Sequence, residues 1–327
     1  MTIADNLNRI IQAKADIKTA IENKGVAVGD LTIDSYAEKI NQITVGESGK
    51  TVLPNGICLS GSTWETFDVT PYDWSRVKDF YSMFRDCINL TSINGIENWD
   101  TSKVTTMGYM FKGCENLTSL DVSNWDTNKV TTMWWMFYSC NNLTSLDVSS
   151  WDVSNVTDMN MMFNNCSSIT SIGDLSNWDT SKVTDMAGMF SNCKNLTSLD
   201  LSNWDTSKVT TMKDMFYNCR NLTTIDLSNW DTSKVTDMSD MFDACQYLTS
   251  LDLSSWDTSN VTTMSRIFSN CINLTEVKMG GDVSKVTNVS YMFSNVITTG
   301  TFYYNPQYDY SKIIGVLPST WTAVPME

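Results

Sequence analysis

Residues 193–216 read CKNLTSLDLSNWDTSKVTTMKDMF, and a unit of nearly this wording, close to 26 residues long, recurs eight to nine times between about residue 74 and residue 293. Trp99, Trp125, Trp151, Trp178, Trp204, Trp230 and Trp256 lie 26, 26, 27, 26, 26 and 26 residues apart. Cys87, Cys114, Cys140, Cys166, Cys193, Cys219, Cys245 and Cys271 keep the same beat. A fixed period of this length marks a solenoid, in which each unit buries its apolar face only against its neighbours.

Within the unit, Leu196, Leu199 and Leu201 form the L-x-x-L-x-L core of a leucine-rich repeat, and alternation along a short strand points Leu199 and Leu201 inward. Val209, Met212, Met215 and Phe216 follow at spacings of 3, 3 and 1, which predicts a helical or 3₁₀ turn on the opposite wall. The expected fold is a leucine-rich-repeat-like, right-handed solenoid of eight to nine turns, about 40–45 Å long at roughly 4.8 Å per turn. Its tryptophan, phenylalanine and methionines supply the main stabilising burial. Two units carry one extra residue beside a glycine, at Gly95 and Gly173, the mark of a bulge.

The rest of the chain differs in kind. Ile3, Leu7, Ile10, Ile17 and Ile21 make a 4-3 stripe that predicts an amphipathic helix, so residues 1–45 are read as a helical anchoring and oligomerisation segment. A helix folding back on Ile33 to Ile43 is the other reading of that stretch. Residues 46–74 read as a linker and N-terminal cap containing Trp64 and Trp74, residues 75–297 as the solenoid, and residues 298–327 as a tyrosine-rich C-terminal cap.

Composition narrows the chemistry. A formal charge of −15 disfavours nucleic acid and anionic membranes as partners. The absence of histidine removes the commonest general base and metal ligand. No apolar run is long enough for a membrane span. The start lacks the features of a secretory signal, so the expectation is retention in the cell or release without a signal peptide. Eight of the nine cysteines share one repeat phase, where every interior one has two equal neighbours and Val296 takes the place in the last copy. They read as a buried, reduced column of small hydrophobes.

The unit MFxxCxxLTSLD[LV]SxWDTS[KN]VTxM resembles the repeats of BspA-like bacterial surface proteins, over about two thirds of the chain. That resemblance implies a leucine-rich-type solenoid used in adhesion. Family members usually carry a signal peptide or lipobox, which this chain's start does not show. Residues 13–18 (AKADIK) and 29–40 (GDLTIDSYAEKI) instead resemble the N-terminal segments of bacteriophage structural proteins, and residues 308–321 resemble their endings. This second resemblance implies virion proteins as partners of the N-terminus and a homo-oligomer, a trimer by preference.

Two aspartate columns invite a catalytic reading: Asp121, Asp147, Asp174, Asp200, Asp226 and Asp252, and the series from Asp100 to Asp257 in the Trp-Asp turn. A catalytic carboxylate pair needs two unlike environments and occurs once, whereas these are copied down the stack. Turn-capping aspartates are expected, with Asp126, Asp152, Asp179 and Asp205 kept as calcium candidates; no other cofactor is expected. The recurring Asn-Leu-Thr is read as an asparagine ladder rather than a set of glycosylation sites.

Function is sought where the copies disagree, because stacking does not dictate those positions. The pairs inside Met-x-x-Met and Phe-x-x-Cys vary freely, and they gather Tyr109, Trp134, Trp135 and Tyr138 on adjacent copies. This aromatic patch suits a sugar or a protein if it faces water, and an intramolecular or oligomeric seam if it does not. The expected function is therefore a non-enzymatic virion fibre or decoration protein that meets a host-surface glycan or protein. A BspA-like bacterial cell-surface adhesin is the alternative, and a carboxylate-pair hydrolase the third reading.

Overall fold

The computed structural model describes residues 44–45 and 50–327, except 54 and 297. The expected helix with Ile3, Leu7, Ile10, Ile17 and Ile21 lies outside the described residues. The rest is a parallel β-solenoid of nine turns: Asp79, Thr106, Thr132, Asp158, Asp185, Thr211, Asp237, Thr263 and Asn288 bridge one to the next in parallel, one per turn.

Most of the strands share one wall. β1 (Thr44–Val45) pairs antiparallel with β2 (Thr51–Val52), which pairs in parallel with β4 (Tyr72–Asp73). β3 (Thr66–Asp68) pairs in parallel with β5 (Ser92–Asn94), and β6 (Ser198–Leu199) with β7 (Thr224–Ile225). β8 (Ser250–Leu253), β9 (Glu276–Met279), β10 (Gly300–Tyr304) and β11 (Trp321–Pro325) then form one parallel sheet. Along β8 the serine and aspartate are exposed and Leu251 and Leu253 buried, the alternation expected of a half-buried strand. In the copy quoted first, Leu201 is fully buried but Leu199 only half so.

The opposite wall is not helical, contrary to expectation. Met215, Tyr217 and Cys219 N–H groups bond three residues back, to Met212, Asp214 and Phe216 (3.2, 3.0 and 3.1 Å). The intervening N–H groups of Met212, Asp214, Phe216 and Asn218 donate forward to Asp237, Ser239, Met241 and Asp243 of the next turn (3.1, 2.9, 2.9 and 2.7 Å). A helix would use every donor within its own segment. Here half of them join turns, so the wall is a run of linked β-turns stacked in register. The linkage needs two left-handed residues per unit, here Asp214 at φ 57° and Asn218 at φ 58°. Each is the third residue of its turn, where a type II turn requires positive φ.

Inside, identical side chains stack. Trp125 and Trp151 lie 6.0 Å apart at 1°, and Phe137 and Phe163 5.6 Å apart at 2°. Each repeat tryptophan from Trp125 to Trp256 donates its indole N–H to a carbonyl of the preceding turn, as Trp204 does to Leu175 at 3.1 Å. Buried threonines donate the other way: Thr206 Oγ1 reaches the Asp231 carbonyl at 2.9 Å. Buried polar hydrogens thus find partners without loosening the stack. All nine cysteines are buried thiols outside any disulfide, and each repeat sulfhydryl faces a backbone carbonyl, as Cys219 does that of Phe190 at 3.1 Å. Burial pushes the Cys166 thiol up to about 12, so the column is unreactive and packs as the sequence suggests.

Gly95 and Gly173, the two beat-breaking glycines, adopt φ 83° and 88°. At the N-terminal side Phe67 meets Phe84 edge-on at 5.6 Å and Trp74 meets Trp99 at 4.4 Å, continuing both ring columns. At the C-terminal side β10 and β11 extend the sheet, joined through a short helix α1 (Ser311–Ile314). Tyr310 is buried there, with its hydroxyl donating to the Gly281 carbonyl at 2.6 Å. Among the described residues no helix is long and apolar enough to cross a membrane.

Candidate functional site

The turn wall points its inward residues (Met, Met, Phe, Cys) into the core and its intervening pairs outward. All four residues of the expected aromatic patch stand on it, half-buried, and they touch. Tyr109 lies 5.1 Å from Trp134 and 5.6 Å from Trp135, and Trp135 stacks on Tyr138 at 4.5 Å. Trp134 fits because the preceding turn has glycine beneath it: a Cβ on Gly108 would come within 2.4 Å of Trp134 Nε1. Trp135 Nε1 donates to Asn160 Oδ1 of the following turn at 2.8 Å, which fixes its ring.

Three further members escaped the sequence reading. Tyr81, 39% exposed, extends the patch by packing edge-on against Tyr109 at 5.5 Å. Its unit has Phe80 where most others have methionine, so the Met-x-x-Met frame passes over it. The Lys112 ammonium sits over three rings, 5.2 Å from the centroid of Tyr109, 4.7 Å from Trp135 and 5.4 Å from Tyr138. The Arg85 guanidinium lies 5.3 Å from the Tyr109 centroid and pairs with Asp86 at 3.2 Å. Burial, then the nearby Arg85, push the Lys112 ammonium below its usual range. A signal for both cations was available, since they occupy the variable Phe-x-x-Cys pair.

Farther along, the same wall is acidic. Lys213, Asp214, Tyr217, Asp240, Asp243, Arg266, Asn270 and Tyr291 line an open cleft of about 560 Å³. Burial, then repulsion from Asp240, pushes the Asp214 carboxyl up to about 6. Burial also raises Asp240 and Asp243, although Arg266 approaches Asp240 at 3.7 Å and Asn270 donates to Asp243 at 2.7 Å.

The two expected aspartate columns cap turns. The calcium candidates Asp126, Asp152, Asp179 and Asp205 each accept the backbone N–H two residues on, from Asn128, Ser154, Ser181 and Ser207, at 3.1, 2.9, 3.0 and 2.9 Å. Hydrogen bonds from Ser154 and Ser207 hold the Asp152 and Asp205 carboxyls below the usual carboxylate range. Among the described residues no three His, Cys, Asp or Glu side chains converge as a metal site would. The other column behaves alike: Asp226 accepts both the N–H and the hydroxyl of Ser228 (3.0 and 2.7 Å). The asparagine ladder forms only in part, as Asn142 to Asn116 at 3.1 Å and Asn221 to Asn195 at 3.5 Å, while Asn89 and Asn273 donate to backbone carbonyls.

A parallel solenoid with a dictated interior and one wall of freely varying side chains defines a repeat protein. The chain belongs to the family described as "Mycoplasma protein of unknown function, DUF285", whose profile matches residues 59–171, 133–228 and 197–302. No match among curated proteins reached significance. Similar solved structures include a leucine-rich repeat protein from Bacteroides ovatus, 13% identical over 91% of this chain and 100% of the other, at a TM-score of 0.35. They also include a leucine-rich cell surface protein from Faecalibacterium prausnitzii, 13% identical over 84% and 95%, at 0.32. A third is the functional domain of InlJ from Listeria monocytogenes, which includes a cysteine ladder, 16% identical over 78% and 68%, at 0.21.

Proposed function

We propose that this chain is a non-enzymatic recognition protein of the bacterial cell surface, an adhesin-type solenoid that binds carbohydrate on its turn wall. The carrying observation is the cluster of exposed Tyr81 and half-buried Tyr109, Trp134, Trp135 and Tyr138 at positions that stacking leaves free. Contiguous aromatic faces on an otherwise polar wall suit the apolar faces of sugar rings. The surface location follows the repeat wording and the cell-surface leucine-rich protein from Faecalibacterium prausnitzii. No relative favours the virion fibre, whose argument rests on the resemblances of residues 1–45 and 308–321. The copied, turn-capping aspartates speak for binding rather than hydrolysis.

The test is a glycan array probed with the purified chain, beside a Trp135→Ala, Tyr138→Ala double variant. Binding to defined glycans that the double variant loses, with the melting transition kept, supports the reading. A chain that binds no glycan, or binds equally well without these rings, overturns it. Turnover of any bound glycan would overturn the non-enzymatic part.

A further inference from the structure

We propose that the aromatic patch selects an acidic sugar, a ring stacked on Trp135 and its neighbours whose carboxylate or sulfate is met by Lys112. This rests on the glycan-binding reading above and names its ligand class. The Lys112 side chain is half-buried among Tyr109, Trp135 and Tyr138, and among the described residues its ammonium makes no hydrogen bond or ion pair. Ring faces attract the cation but accept none of its three N–H bonds in line. The nearest acid, Asp86, is engaged by Arg85 at 3.2 Å. A ligand anion arriving over the rings would complete the ammonium's bonds and relieve its repulsion from Arg85.

The same geometry argues against a cationic ligand. A quaternary ammonium group would be repelled by the charges of Lys112 and Arg85 beside the same rings. The anion should be borne on a terminal residue of the glycan rather than along a polyanion. The wall continues into the carboxylates of Asp214, Asp240 and Asp243, and the chain as a whole carries −15, so an extended polyanion would be repelled.

Calorimetry with two soluble disaccharides that differ only in a terminal glucuronic acid or glucose tests this, with a sulfated glucose counterpart distinguishing carboxylate from sulfate. The wild-type chain should favour an acidic ligand by about tenfold, the scale of one charge-assisted hydrogen bond. Lys112→Met should erase that preference, while Trp135→Ala should weaken acidic and neutral ligands alike. Equal affinities for acidic and neutral ligands in the wild type, or a preference that survives Lys112→Met in a variant with an unchanged melt, overturns the proposal yet leaves glycan binding standing. Tighter binding of choline than of any acidic sugar would also overturn it. If no sugar of either kind binds, the parent reading falls with it.

Discussion

Trp135 and Asp214 occupy the same place in turns three repeats apart, and both adopt φ 57°. Around Trp135 the wall is aromatic, with the Lys112 and Arg85 cations over its rings. Around Asp214 it is a carboxylate-lined cleft. One backbone therefore carries opposite chemistries, because the links between turns fix φ, ψ and register while using no atom of the outward side chains. The interior allows no such licence. Phe137 and Phe216 sit under these two regions in the same column with the same parallel stacking on their neighbours.

The largest effect should come from removing what the two regions share. Phe137→Ala leaves a ring-sized gap in the column beneath the aromatic patch and should cost about 3–5 kcal/mol in denaturant unfolding. A much smaller loss would mean that the stack relaxes and the regions are less alike inside than they look. Next comes Asp214→Asn in the acidic cleft. The folded pKa is raised from 3.8 to about 6, so the folded state binds the proton more tightly and stability falls as pH rises through that window. The variant should gain on the order of 1 kcal/mol over wild type at pH 7–8, discounted for remaining solvent screening, and lose the advantage near pH 4. An advantage independent of pH would show that charge is not its cause.

Ser139→Gly tests the backbone itself. Ser139 adopts φ 59° where the preceding unit has Gly113, and glycine should stabilise by about 0.5–1 kcal/mol. A destabilised variant would show that the serine side chain matters more than its φ. The smallest stability change is expected for Gly108→Ala, where the new methyl must displace the Trp134 indole. The melt should move little, whereas tryptophan fluorescence and glycan affinity should change. An unaltered spectrum would place Trp134 elsewhere.

Inward positions were legible from sequence because each neighbouring turn demands the same shape at the same point. Hence the tryptophan, phenylalanine and cysteine columns appear at the beat that the spacing predicts. The turn wall was misread as helical because Val209, Met212, Met215 and Phe216 share a helix's spacing. Its true geometry rests on left-handed residues, and Tyr109, Trp135 and Met161 are not residue types that announce one. The asparagine before each of Cys166, Cys193, Cys219 and Cys271 did carry that signal, since asparagine tolerates the left-handed region. The four aromatic residues were legible as variable positions. Lys112 and Arg85 stand at variable positions too, but their packing over the Tyr109, Trp135 and Tyr138 rings was not legible.

The interlocking of the turns has a consequence for how such a chain changes length over generations. Tryptophan N–H groups donate towards the N-terminus, while the buried threonine hydroxyls and half the turn-wall amides donate towards the C-terminus. Shortening the stack from either end therefore strands buried donors; Trp99, the first of the series, already has an indole N–H with no acceptor among the described residues. Excising or duplicating one whole unit in the middle strands none, since the flanking units present the same partners. Near-identical repeats are also the substrate that unequal recombination needs. The array can lengthen or shorten its turn wall, one unit at a time, while both ends stay as they are.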